Sequence, residues 1–145
     1  MTTKKTLTFG SDHAGYELKE QLISYIKQSR PDIVVWDLGP KTSDSVDYPD
    51  YAHAVANNVS NFSSTGILIC GSANGVAMTA NKHPKVRAAI AWEPAIAALA
   101  KQHNNANILC IPARFIAAYD APAIVDAFLD AEFEGGRHAT RVEKI

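Results

Sequence analysis

Four short stretches carry side chains able to do chemistry: "SDHAGY" (11–16), "CGSANG" (70–75), "KQHNNAN" (101–107) and "EGGRHATR" (134–141). Cys70 closes the apolar run "GILIC" and is followed by small residues. A thiol at the mouth of a strand-to-helix turn can act as a base once ionised. Turn amides and a helix N-terminus are expected to stabilise the thiolate and bring its pKa below about 8.5. The plainer reading is a core cysteine, since cysteine is among the most buried residue types. Cys110, inside the apolar "NILCI", takes that plainer reading. The small residues of "GSANG" would let a ligand oxygen approach the backbone amides closely, or would simply shape a tight turn.

Asp12 and His13 stand together after the first apolar run, with Asp12 also a candidate helix N-cap. His103 and Asn104 stand where a helical pattern ends, and the imidazole there either does chemistry or complements the helix dipole. Arg137 and Arg141, spaced i, i+4 around His138, share one face if the tail is helical. Their planar guanidinium forks suit an oxyanion, and Arg114 is placed to join them. The competing reading is a solvated basic face. No pair of histidines and carboxylates has metal-ligand spacing in the sequence, so no metal is expected. Three alternatives are excluded by motif. No GxGxxG follows the first strand, no GxxxxGK[ST] occurs, and the arginine that cysteine phosphatases place six residues after the nucleophile is replaced by Val76.

The elements that must position these groups are short apolar runs alternating with helical patterns. Strands are predicted over 6–9, 33–38, 66–70, 86–92 and 107–111, nearly continuous in apolar residues as in a parallel sheet covered on both faces. Helical spacing links Leu18, Leu22, Ile23 and Ile26, then Tyr51, Val55, Val59 and Phe62 behind Pro49. Further helices are expected over about 74–81, from Pro94, and from Pro122 through Ile124, Val125, Phe128 and Leu129. The sum is a single-domain (1–145), doubly wound, Rossmann-like α/β fold. Its five-stranded sheet is mostly parallel, with helices on both faces and a C-terminal helical tail. Ligands of such sheets bind beyond the carboxyl ends of the strands, so the tips after strands one, three, four and five should gather.

The 145 residues carry a formal net charge of -1, with 47% hydrophobic and 20% charged residues. That balance favours neither nucleic acid nor an anionic membrane. Two cysteines form no disulfide framework, and no basic-then-apolar leader opens the chain, so a reduced, cytoplasmic protein is expected.

Together "SDHAGYELK", "DYPDYA", "GILICGS", "ANK", "QHNNAN" and "EGGRHATRV" resemble, in order and rough spacing, the type B ribose-5-phosphate isomerases and the related allose- and galactose-6-phosphate isomerases. The resemblance covers essentially the whole chain. It implies a metal- and cofactor-independent aldose–ketose isomerase working through an enediol intermediate. It further implies that Cys70 moves the proton between C2 and C1. Ser72 and the amides of Gly71 to Gly75 would hold the enediolate, and His103 with Asp12 would open the furanose ring. Asn104 and Tyr48 would hold sugar hydroxyls, while His13, Arg114, Arg137 and Arg141 would grip the phosphate. The family works as homodimers with sites shared between subunits, His103 and Asn104 coming from the partner; a tetramer is the larger alternative. One departure is Ala73, followed by Asn74, where many relatives have a second glycine. The methyl is expected to oppose any φ > 0 there and to narrow the anion hole. A six-carbon sugar-phosphate isomerase is the alternative within the enzyme class. A non-catalytic phosphate- or nucleotide-binding module is the alternative outside it, and would leave Cys70 and His103 idle. A response-regulator-like domain fits less well, since Cys70 stands where that fold needs an aspartate.

Overall fold

The computed structural model describes residues 5–145. Five strands form one sheet: β1 (Thr6–Ser11), β2 (Val34–Asp37), β3 (Thr65–Cys70), β4 (Ala88–Ile90) and β5 (Ile108–Pro112). Every pair is parallel, and the order across the sheet is β2-β1-β3-β5-β4. The connecting helices are α1 (Tyr16–Ser29), α2 (Tyr48–Phe62), α3 (Asn74–Ala80), α4 (Pro94–Asn104) and α5 (Ala121–Asp130). The basic tail forms a sixth, α6 (Arg137–Val142), entered through Gly135 and Gly136 at positive φ.

Strand alternation divides the core in two. Ile67, Ile69, Leu109 and Ile111 pack with Leu22 and Ile26 of α1, Ala97 and Ala100 of α4, and Phe128 of α5. Leu68, Cys70, Ile108 and Cys110 face the other way, against Val55 and Val59 of α2 and Val76 of α3. Helices therefore cover both faces, and the fully apolar β3 and β5 lie in the middle. The edges differ from the sequence expectation of uniformly buried strands. In β2, Val34 and Trp36 are exposed, because an edge strand is covered less completely. The fourth strand shrinks from 86–92 to Ala88–Ile90, since Asn107 takes over at its start: its Oδ1 accepts the Arg87 N–H at 2.8 Å.

One ion pair is buried in the first βαβ unit. Lys19 sits amid the apolar stripe of α1 with its side chain wholly inaccessible, and its Nζ donates to Asp37 Oδ1 at 2.8 Å. Asp37 Oδ1 also accepts the Gly39 N–H at 2.9 Å, tying down the segment that runs on to Tyr48. Burial alone would push the Asp37 carboxyl up. Lys19, the Gly39 amide and Lys41 together hold it below the usual carboxylate value. Among the described residues, no helix is long and apolar enough to cross a membrane.

Candidate active site

The chain turns in opposite directions from β1 and from β3, so the crevice of this sheet lies between their carboxyl ends. The Asp12 N–H donates to Ile69 O at 3.1 Å, which locks the two tips together. On the other side, the N–H groups of Ala113 and Arg114 donate to the carbonyls of Cys70 and Gly71 at 2.9 and 3.1 Å. The tip of β5 is thus fastened to that of β3. Between them opens a cavity of about 310 Å³, lined by Asp12, Tyr48, Cys70, Gly71, Ser72, Gly75 and Arg114. The tip of β4 does not reach it, because β5 lies in between. Its Trp92 lines a neighbouring cleft with Ser72, Asn74 and Phe115, which corrects the expectation that four tips share one site.

Two glycines let large side chains close on this floor. A Cβ on Gly75 would overlap the Tyr48 ring and stand 2.8 Å from its hydroxyl. A Cβ on Gly71 would stand 3.3 Å from Arg114 Cδ and Nη1, so the guanidinium lies across the start of the turn. Asp12 is both a loop anchor and a wall of the cavity. Its Oδ1 accepts the Gly15 N–H at 2.9 Å, one step before α1, so the capping reading and the site reading describe the same carboxylate. His13 is exposed beside them, and its Nδ1 accepts the Val46 N–H at 3.3 Å, which leaves the proton of the neutral ring on Nε2.

Cys70 is 5% exposed. Burial raises its pKa, and Asp12 adds to the rise, while the N–H groups of Val76, Ala73 and Ser72 hydrogen-bond the sulfur and lower it. The balance is a thiol above its ordinary value. The sequence expectation of a depressed pKa is therefore corrected: three amides do turn to the sulfur, but desolvation outweighs them. The amides of Ser72 and Ala73 belong to the turn that the sequence reading assigned to the enediolate, and that of Val76 lies in the first turn of α3. Ala73 adopts φ 67°, ψ -6°, a left-handed conformation that costs an alanine about 1 kcal/mol. Its methyl is fully buried with Val76 and Ala77, so it points into the core and does not narrow the cavity. Cys110 is fully buried and its thiol is pushed far up by desolvation, as a core cysteine should be.

The remaining candidates lie elsewhere. Opposite Cys70 in the sheet stands Pro112, and opposite Gly66 stands Ile108, four residues after α4 ends. His103 and Asn104 are therefore at the amino edge of the sheet, a strand's length or about 13 Å below Cys70. Asn104 lines a separate cleft of about 440 Å³ with Arg87 and Ile145. The His138 ring of α6 stacks on His103, centroids 4.1 Å apart and 9° from parallel. Arg137 and Arg141 thus gather with His103, both exposed, while His13 and Arg114 stay at the Cys70 end. His138 is held below the ordinary histidine value by desolvation first, then by His103 and Arg137. Sequence reasoning missed Lys19, whose burial within a helical stripe was the available signal. It also missed Glu134, whose nearness to His103 leaves no local trace.

A family model described as ribose/galactose isomerase matches residues 7–145. The chain belongs to that family. It is 45% identical over 147 residues to a probable ribose-5-phosphate isomerase B of Mycoplasma pneumoniae, covering 100% of this chain and 95% of that protein. It is 40% identical to ribose-5-phosphate isomerase B of Escherichia coli, over 97% of this chain and 94% of that one. Among solved structures, ribose-5-phosphate isomerase B of Mycoplasma genitalium with bound ribulose-5-phosphate superposes with a TM-score of 0.93 at 44% identity. That match covers 99% of this chain and 95% of the other. The Thermotoga maritima enzyme gives 0.92 at 43%, covering 98% and 97%. The family's fold is the doubly wound α/β sheet described above.

Proposed function

We propose that this chain interconverts ribose 5-phosphate and ribulose 5-phosphate through an enediolate, with Cys70 as the base. The carrying observation is the cavity that gathers Asp12, Tyr48, Cys70, Gly71, Ser72, Gly75 and Arg114 at the crevice between β1 and β3. The names of the relatives supply the substrate class.

The chemistry follows from where charge moves. The Cys70 thiolate takes the C2 proton of the open-chain aldose, and the C–H electron pair becomes the C1–C2 double bond. The carbonyl electrons then retreat onto O1. Returning the proton to C1, with the hydroxyl proton shifting between O2 and O1, gives the ketose. One negative charge thus passes from sulfur to oxygen within the same rim of donors. The amides of Ser72, Ala73 and Val76 favour the charge while it is on sulfur. Ser72 and the Gly71–Gly75 turn are next to it when it moves to oxygen. A thiol above its ordinary pKa is a strong base whose ionised fraction is small, which couples turnover to pH.

His13 and Arg114 supply one half of the phosphate grip. Arg137 and Arg141 travel with His103 and Asn104, the ring-opening and hydroxyl-holding pair. A single chain keeps the two groups at opposite edges of its sheet, so the working unit is a homodimer in which each cavity is completed by the partner. Exposed Trp92, Phe115, Tyr119 and Met78 are apolar surface of the kind a dimer covers.

Turnover of ribose 5-phosphate by the wild type and by Cys70→Ala, with EDTA present, tests the reading. The expected result is wild-type isomerisation that the variant loses while still binding the sugar phosphate. Turnover confined to allose or galactose 6-phosphate would replace the substrate. Unchanged turnover in the variant would remove Cys70 as base, and no turnover on any of the three would leave the binding-module reading.

A further inference from the structure

The fold assembles three potential ligands that are not recognisable as a metal motif in the sequence. His103 comes from the last turn of α4 and His138 from α6, while Glu134 lies in the segment before the two glycines. Glu134 is fixed beside His103 by its backbone, whose N–H donates to Gln102 O at 3.0 Å. Its Oε1 then stands 3.6 Å from His103 Nε2 and 3.5 Å from His138 Nε2. One ligand atom from each residue falls within a 4.8 Å span.

Those separations have a chemical meaning. Ligands held about 2.0–2.1 Å from a tetrahedral zinc ion stand roughly 3.4 Å from one another. The two distances to Glu134 are already within a few tenths of that value. A His, His, Glu set with its fourth position open to water is the donor chemistry of borderline divalent cations. The side chains of Glu134 and His103 are 51% and 40% exposed, so that fourth position faces solvent. The two rings now stack 9° from parallel, so metal binding would replace the stack, each imidazole tilting until its in-plane lone pair points at the shared ion. Arg137 and Arg141 carry positive charge nearby, which weakens the site and makes it a reversible one.

We propose that His103, Glu134 and His138 form a binding site for a zinc-class divalent cation, and that its occupancy inhibits the enzyme by taking His103 out of use. The inhibition, though not the binding, rests on the ring-opening role given to His103 above. Metal here is an inhibitor and plays no part in the isomerisation itself.

The test is a Co²⁺ titration of the intact protein, followed by visible absorption and competed with Zn²⁺. One tetrahedral cobalt spectrum per chain is expected, displaced by zinc and weakened roughly tenfold or more in both Glu134→Gln and His138→Asn. Cys70→Ala should bind cobalt as the wild type does. No tetrahedral spectrum, equal affinity in the two variants, or a sulfur-to-cobalt charge-transfer band lost with Cys70 would overturn the site. Turnover measured with and without zinc then separates the two claims. Inhibition of the wild type that is relieved in Glu134→Gln supports both. Binding without inhibition upholds the site and overturns the role given to His103.

Discussion

The two edges of the sheet hold the two groups of candidate residues in different physical states. At the carboxyl edge, β1, β3 and β5 are fastened tip to tip by backbone hydrogen bonds, and the thiol is 5% exposed. At the amino edge, Arg137 and Arg141 turn their guanidinium groups to solvent, while His138 is largely covered in its stack on His103. One edge is finished within the chain as a walled cavity, the other is an open cluster of imidazole and guanidinium groups. A parallel βαβ chain places helix C-termini at the edge opposite its strand C-termini. In the proposed homodimer, a residue such as His103 would meet the strand-tip cysteine across the symmetry axis.

Cys70→Ala and His103→Asn should each lower turnover by about a thousandfold, as loss of a catalytic acid or base does. Mixed and allowed to exchange subunits, the two inactive proteins should recover about one quarter of wild-type turnover, because half the dimers then hold one intact site. No recovery in a mixture shown by native mass spectrometry to contain heterodimers would place both groups in one chain's site and refute the sharing.

Next in size is the support beneath the finished edge. Lys19→Met leaves Asp37 without its buried cation and should cost about 3 kcal/mol in urea unfolding at neutral pH. Asp37 is held below its unfolded value, so its share of the stability is full above about pH 4 and is lost as the pH falls through the lower folded value. That acid-sensitive share should shrink in Lys19→Met, leaving only the part owed to the Gly39 amide and Lys41. An unchanged midpoint at neutral pH would mean the pair contributes nothing.

A smaller effect concerns the thiol. Since burial raises the Cys70 pKa, kcat/KM should climb about tenfold per pH unit on the acid side and level off only above the ordinary thiol range. A plateau beginning near neutrality would show that the assembled site depresses the thiol after all. The smallest effect belongs to Ala73→Gly. Relief of the left-handed alanine is offset by the lost buried methyl and a looser unfolded chain, leaving stability within about 1 kcal/mol of wild type. The ratio of five- to six-carbon turnover should hold steady too, because the methyl faces Val76 and not the cavity.

What the sequence carried and what it hid divide along the same line. Continuous apolar runs exposed the strands and the rule of strand tips exposed the crevice, so Cys70, Gly71 and Arg114 were legible as neighbours. Edge strands were not legible: "VVW" in β2 is as apolar as "ILI" in β3, and only the sheet order leaves Trp36 uncovered. The sign of the thiol's shift was hidden because desolvation is a property of the whole surrounding core, whereas the turn amides are local. Glu134 was hidden for a related reason, since its placement depends on a backbone bond to Gln102, 32 positions earlier.

The sheet order also fixes a sequence of events during synthesis. β2, β1 and β3 can pair as soon as residue 70 is available, but the second neighbour of β3 is β5, which pairs Gly66 with Ile108. Until 42 more residues are made, β3 presents an open, wholly apolar edge ending in a bare thiol. Long-range parallel pairing of this kind is slow, and an uncovered apolar edge invites another chain to add to it. The strand that carries Cys70 is therefore the nascent protein's most vulnerable part, and the chain's own share of the cavity is walled only when the fifth strand pairs beside it.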